Sequence, residues 1–140
     1  MVSTSGATLL PSSAVQTLLT SLLPQTTVLT PNIPEATLLL SQSNTQEFPR
    51  EPQRVEDLEE LGRKIQALGP KWVLIKGGHL PLTKDLKVNE GVKEVVVDVL
   101  VGPEKVERII SPWIESDNTH GTGCSLACES SSSFRITYCK

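Results

Sequence analysis

Apolar residues recur at helical spacing in three stretches of the chain, and each stretch predicts a helix. The first covers residues 11–23, the second is a short helix over 33–40, and the third covers 54–68. The third is the clearest, because its apolar residues return every three or four positions while Glu60 and Lys64 form an i,i+4 pair on its polar side. The pattern therefore indicates at least three amphipathic helices.

Four other runs predict β-strands. The β-branched run 26–30 and the continuous apolar run 72–75 are typical of strands that are covered on both faces. Residues 94–101 and 105–110, joined across Gly102-Pro103, predict an antiparallel hairpin. Because helices and strands alternate, we expect a three-layer α/β sheet in which 26–30 and 72–75 are parallel neighbours.

Composition and charge favour a globular protein that binds neither nucleic acid nor membranes. The 140 residues are 38% hydrophobic and 21% charged, which is ordinary for one globular domain. A net charge of -3 without a long basic run argues against a nucleic acid or an anionic membrane as partner. The amino terminus lacks a signal pattern and no apolar stretch approaches the roughly 20 residues that span a bilayer, so we expect a cytoplasmic protein. The three cysteines, an odd number near the carboxyl end, predict free thiols.

The run Gly121-Thr122-Gly123-Cys124 has the residues of an anion cradle. Two glycines let the backbone approach an oxyanion, and a helix that begins there would direct free N–H groups towards it. The same field would favour the thiolate of Cys124, which could then accept a proton. The alternative is a simple helix-starting turn with a buried Cys124. A zinc site formed by His120, Cys124 and Cys128 would lack a fourth ligand at the usual spacing.

Polar residues also follow two of the predicted strands, where open α/β sheets bind ligands. Asn32 and Glu35 could face phosphate and metal, or could form a capping box at the start of a helix, which the residues alone favour. Lys76, Gly77 and Gly78 supply one charge and a flexible backbone, which suits a nucleotide phosphate. A strand-ending turn with a solvated lysine is the alternative.

Together and in this order, the motifs resemble the hydroxymethylpyrimidine/phosphomethylpyrimidine kinases of thiamine biosynthesis, in the ribokinase-like superfamily. The matching stretches are residues 1–7, 22–24, 30–36, 73–79 and 118–126. The resemblance implies a partial ribokinase-like three-layer sandwich, with a mostly parallel sheet and an antiparallel hairpin. It covers residues 1–129 and leaves 130–140 as an unrelated tail that we expect to be disordered.

The resemblance also implies an activity. Such kinases use ATP and Mg²⁺ to phosphorylate hydroxymethylpyrimidine and then extend its monophosphate to the diphosphate. Cys124 would be the catalytic base, and the amides of Gly121 to Cys124 would form the anion hole. Asn32 and Glu35 would organise Mg²⁺ through water, and Lys76 to Gly78 would lie beside the nucleotide. A homo-oligomer is left open.

The resemblance stops short of the family pattern at both ends. The first half of the family's domain, which builds most of the pyrimidine pocket, would precede Met1, and a long alanine-rich helix would follow Glu129. We therefore expect the isolated chain to show no turnover, because nothing would hold the nucleophile beside the phosphate. Three alternatives remain: a pyridoxal kinase, a non-catalytic fragment that binds a nucleotide or a partner, and a reading frame that does not fold.

Overall fold

The computed structural model describes residues 11–43, 52–78, 80–89 and 91–114. Its helices are α1 (Ser12–Thr17), α2 (Ile33–Gln42) and α3 (Val55–Gln66), and its strands are β1 (Val28–Leu29), β2 (Trp72–Ile75), β3 (Val95–Val101) and β4 (Val106–Pro112). Each lies where the hydrophobic pattern predicts an element. None of the helices in these ranges is long and apolar enough to cross a membrane.

The four strands form one sheet in the order β1-β2-β3-β4. β1 pairs with β2 in parallel, with Val28 opposite Trp72, whereas β2 with β3 and β3 with β4 pair antiparallel. The predicted parallel neighbours and the predicted hairpin are both confirmed. In the described ranges one of the three pairings is parallel, because the hairpin joins the sheet directly at β2.

One hydrophobic cluster holds the helices to the sheet. Leu58, Leu61 and Ile65 of α3 are fully buried, and alternate valines of β3 are buried opposite them. Each fully buried leucine or isoleucine contributes about 1.5–3 kcal/mol relative to an exposed one. Gly62 allows the close approach of helix and sheet, since a Cβ there would lie 2.6 Å from Cγ2 of Val101. Helix α3 thus anchors both β2 and β3.

The first helix is less regular than the pattern predicts. It begins after Pro11 without a side-chain cap, and after Thr17 it widens into a π-helical turn (Leu18–Leu22) and then tightens into a 3₁₀ turn (Leu23–Gln25). Its buried residues Val15, Leu19 and Leu23 are spaced by four. In a strict α-helix such residues drift around the axis, and the wider π turn offsets that drift.

Helix α3 is fixed at its first turn by a carboxylate. Oδ2 of Asp57 accepts hydrogen bonds from the backbone amides of Gln53 at 2.8 Å and of Arg54 at 3.0 Å. Burial works against ionisation of Asp57, but these amides and the Arg54 guanidinium outweigh it and lower its pKa below the ordinary 3.8. The ionised carboxylate therefore stabilises the folded state.

Replacing Asp57 with alanine should lower the free energy of unfolding by about 1 kcal/mol at pH 7, the usual effect of losing a cap. Because the pKa of Asp57 is lowered by folding, its contribution is present above the ordinary 3.8 and is lost as the pH falls through the folded value. Urea unfolding at pH 7 and at acid pH measures both effects. Asp85→Ala, in an exposed loop, is the control and should change stability by less than about 0.5 kcal/mol. Equal losses in the two variants, or a loss independent of pH, would contradict this account.

Arg108 ties the edge strand to α3. Its Nε donates to Glu59 at 2.7 Å and its Nη2 to Glu56 at 3.0 Å. The hydrogen bond to Glu59 is the main cause of a raised pKa at Arg108. Most of β4 is exposed, so this pair of contacts adds a modest stabilisation and sets where the hairpin lies over the helix.

Candidate functional site

Asn32 and Glu35 form a reciprocal capping box at the start of α2, directly after β1. Oδ1 of Asn32 accepts from the amide of Glu35 at 2.8 Å, and Oε2 of Glu35 accepts from the amide of Asn32 at 3.0 Å. The capping interpretation of these two residues is therefore confirmed. The box holds a carboxylate in a fixed position at the sheet edge, just outside the carboxyl end of β1.

The segment after β2 lies directly beside this box. The amide of Lys76 donates to the carbonyl of Pro31 at 2.9 Å, and Asn32 and Lys76 pair as an isolated parallel bridge. The structure thus brings together two of the segments that the sequence singles out, at the carboxyl edge where open α/β sheets bind ligands. Among the described carboxylates, none lies within ion-pairing distance of the Lys76 ammonium.

The two glycines after Lys76 have different surroundings. A Cβ on Gly77 would lie 1.9 Å from the carbonyl oxygen of Val97, so only glycine fits against β3 at this point. Among the described residues, no atom would lie within 4 Å of a Cβ on Gly78, and Gly78 itself is exposed. The turn is therefore held to the sheet at Gly77 and accessible to a ligand at Gly78.

Sequence reasoning missed Asp98, which also reaches this turn. It is half-buried in β3, and its Oδ1 accepts a hydrogen bond from the amide of Gly77 at 2.9 Å. Burial raises the pKa of Asp98, while the Gly77 hydrogen bond and the positive charge of Lys76 oppose that rise. The sequence does show one acidic residue inside an otherwise apolar strand. That pattern is equally typical of a residue on the solvent-facing side of a sheet, so it does not single out Asp98.

The donor set at this edge is compatible with Mg²⁺. Within the described ranges no three histidine, cysteine, aspartate or glutamate side chains gather into a metal cluster. Magnesium commonly takes one or two carboxylates and completes its shell with water and substrate phosphates. Glu35 and Asn32 fit such a site through water, because both side chains already serve the capping box.

The run Gly121-Thr122-Gly123-Cys124 lies outside the described residues, and so do His120, Cys128 and the 130–140 segment. The anion hole, the cysteine base and the tail therefore stay predictions. The structure describes the ends of β1 and β2, which carry the other residues predicted for the site.

Residues 1–134 match the family model described as phosphomethylpyrimidine kinase. The chain belongs to the phosphomethylpyrimidine kinase family. The matched range contains the capping box, the Lys76 to Gly78 turn and the Gly121 to Cys124 run.

Individual members of the phosphomethylpyrimidine kinase family and related kinases agree with this match. The hydroxymethylpyrimidine/phosphomethylpyrimidine kinase of Escherichia coli is 41% identical over 127 residues, which cover 91% of this chain and 41% of that protein. The crystal structure of phosphomethylpyrimidine kinase from Clostridium difficile is similar with a TM-score of 0.56 and 33% identity, over 77% of this chain and 38% of that one.

An ADP complex of Bacillus subtilis pyridoxal kinase is similar with a TM-score of 0.62 and 33% identity, over 84% of this chain and 39% of that one. These similarities show the ribokinase-like α/β fold that the sequence predicts. The chain spans about two-fifths of the length of each of these three proteins.

Proposed function

We propose that this chain forms the nucleotide-binding edge of an ATP-dependent kinase that phosphorylates hydroxymethylpyrimidine and its monophosphate. The observation that supports this most is the bridge between Asn32 and Lys76, which joins the two polar strand ends at one edge of the sheet. The E. coli relative is named for the same activity. Family membership and local geometry thus favour the same class of reaction.

Each residue at the edge has a part in this proposal. The Lys76 ammonium attracts the phosphates of ATP, and the backbone at Gly78 leaves them room to approach. Glu35, held by the capping box, would hold Mg²⁺ through water, and the metal would supply positive charge to the phosphate oxygens. Phosphoryl transfer depends mainly on this positioning and charge compensation.

Cys124 and the preceding glycines complete the proposed reaction. The substrate oxygen attacks the γ-phosphorus of ATP, the bond to the bridging oxygen breaks, and ADP leaves. Cys124 takes the proton of the attacking hydroxyl, and the amides of Gly121 to Cys124 hold the transferred group. The motif's position within the family match supports this assignment.

A pyridoxal kinase is the second candidate. It is favoured by the similarity to the B. subtilis enzyme, whose identity to this chain equals that of the C. difficile phosphomethylpyrimidine kinase. The two candidates share the nucleotide edge and differ in the substrate that accepts the phosphate.

A coupled ADP-release assay separates the candidates. It is run on this chain and on a version joined to the amino-terminal part of the E. coli relative, with hydroxymethylpyrimidine, its monophosphate or pyridoxal as acceptor. We expect the joined version to release ADP with the two pyrimidines and much more slowly with pyridoxal. Faster release with pyridoxal would favour the second candidate. Nucleotide binding without release would indicate a non-catalytic protein, and a featureless thermal melt by circular dichroism would indicate a chain that does not fold.

A further inference from the structure

Asp98 is the one charged residue among the valines and leucine of β3. The strand's alternate residues Val95, Val97, Val99 and Val101 are buried against the core, whereas Asp98 lies on the opposite face and is half-buried. A valine at this position would suit a strand better than a carboxylate does. A carboxylate at this position can accept a hydrogen bond, which an apolar side chain cannot.

The register of the sheet places Asp98 in line with the proposed site. Ile75 lies opposite Val99, so one further step along β2 and β3 brings Lys76 opposite Asp98. On the other side of β2, Lys76 bridges to Asn32. Asn32, Lys76 and Asp98 thus form a row across three strands at the edge where β1 and β2 end.

Contacts with the turn are specific. Oδ1 of Asp98 accepts a hydrogen bond from the amide of Gly77 at 2.9 Å, and Gly77 lies so close to β3 that a Cβ on it would collide with the carbonyl oxygen of Val97. Since these two contacts fix Gly77 from the same strand, the directions of its neighbours Lys76 and Gly78 are fixed as well. Without the acceptor, the Gly77 amide would turn away from β3 or stay unpaired, and either change is costly because Gly77 is buried.

We propose that Asp98 is a positioning residue of the nucleotide site, which holds the Lys76-Gly77-Gly78 turn in place through the Gly77 amide. The inference rests on the proposed function, because it assumes that the turn contacts nucleotide phosphates. Asp98 acts by accepting a hydrogen bond, so a neutral acceptor of the same shape should replace it.

Two substitutions separate the acceptor from the charge. Asp98→Asn keeps an oxygen for the Gly77 amide, while Asp98→Val removes the acceptor and favours the strand, so both should fold. Glu107→Ala on β4 is the matched control, because it also removes a strand carboxylate and its partner is the exposed Lys105. The measurements are the affinity for MgADP by calorimetry and the exchange rate and shift of the Gly77 amide by NMR.

We expect Asp98→Val to weaken MgADP binding about tenfold and to speed exchange of the Gly77 amide, in line with the loss of one partly buried hydrogen bond. The affinity of Asp98→Asn for MgADP should lie within about threefold of that of the unchanged chain. The affinity of Glu107→Ala should equal that of the unchanged chain. If Asp98→Val binds normally, or if Asp98→Asn is as weak as Asp98→Val, the positioning role is wrong while the nucleotide site stands. If the unchanged chain does not bind MgADP, the proposed function fails and this inference fails with it.

Discussion

Replacing Cys124 with alanine in a version of full family length is expected to lower turnover by about 10² to 10⁴, the usual effect of losing a general base. Affinity for ATP should change far less, because the neighbouring backbone amides, and not the side chain, are proposed to hold the phosphate. Steady-state ADP release gives turnover, and calorimetry with ATP gives the affinity.

Two further substitutions test the assignment of Cys124. Cys124→Asp should keep part of the activity, since a carboxylate in the same place can also accept a proton. Cys128→Ala is the control and should have little effect, because it lies four residues further along a predicted helix. Full turnover in Cys124→Ala, or a large loss in Cys128→Ala, would show that the base is another group.

The second large effect is expected at Gly77, with Gly78 as its matched control. Gly77→Ala places a Cβ 1.9 Å from the carbonyl oxygen of Val97, so the turn or the strand must move. We expect a loss of about 1–3 kcal/mol of unfolding free energy, as for other overpacked sites, and at least tenfold weaker MgADP binding. Thermal unfolding and calorimetry measure the two quantities.

Gly78→Ala should weaken MgADP binding without lowering the free energy of unfolding. Because a Cβ on Gly78 would meet no atom of the part of the chain that the structure describes within 4 Å, stability should change by less than about 0.5 kcal/mol. The added methyl group would occupy the open space where the nucleotide is proposed to approach, so affinity should still fall about tenfold. If Gly78→Ala binds MgADP normally while Gly77→Ala does not, the turn is structural and the nucleotide lies elsewhere.

Sequence patterns predicted the elements that depend on local periodicity and burial. The continuous apolar run Trp72–Ile75 is a central strand that pairs with β1 on one side and with β3 on the other. The capping box follows from the spacing of three residues between Asn32 and Glu35. By contrast, the helical pattern of residues 11–23 predicts a continuous helix and not the π-helical turn Leu18–Leu22, which keeps Leu19 and Leu23 in the hydrophobic core.

Some residues of the candidate site could likewise be selected from the sequence, and others could not. Lys76 and Asn32 could be selected because each follows a predicted strand, but that they bridge depends on the pairing of β1 with β2. Asp98 could not be selected, since its contact with Gly77 follows from the register of β3 on β2, and register is set by long-range contacts. The role of Cys124 as catalytic base is a prediction from the family resemblance, which the Cys124→Ala variant tests.

The measurement that tests the central claim most directly is an NMR titration of the chain with MgADP, following backbone amides. The proposal predicts the largest shift changes at Asn32, Lys76, Gly77 and Gly78, with little change at Gly102, which lies in the hairpin turn beyond the opposite end of β2. No change at saturating MgADP, or changes that leave these four amides unaffected, would contradict a nucleotide site at this edge of the sheet.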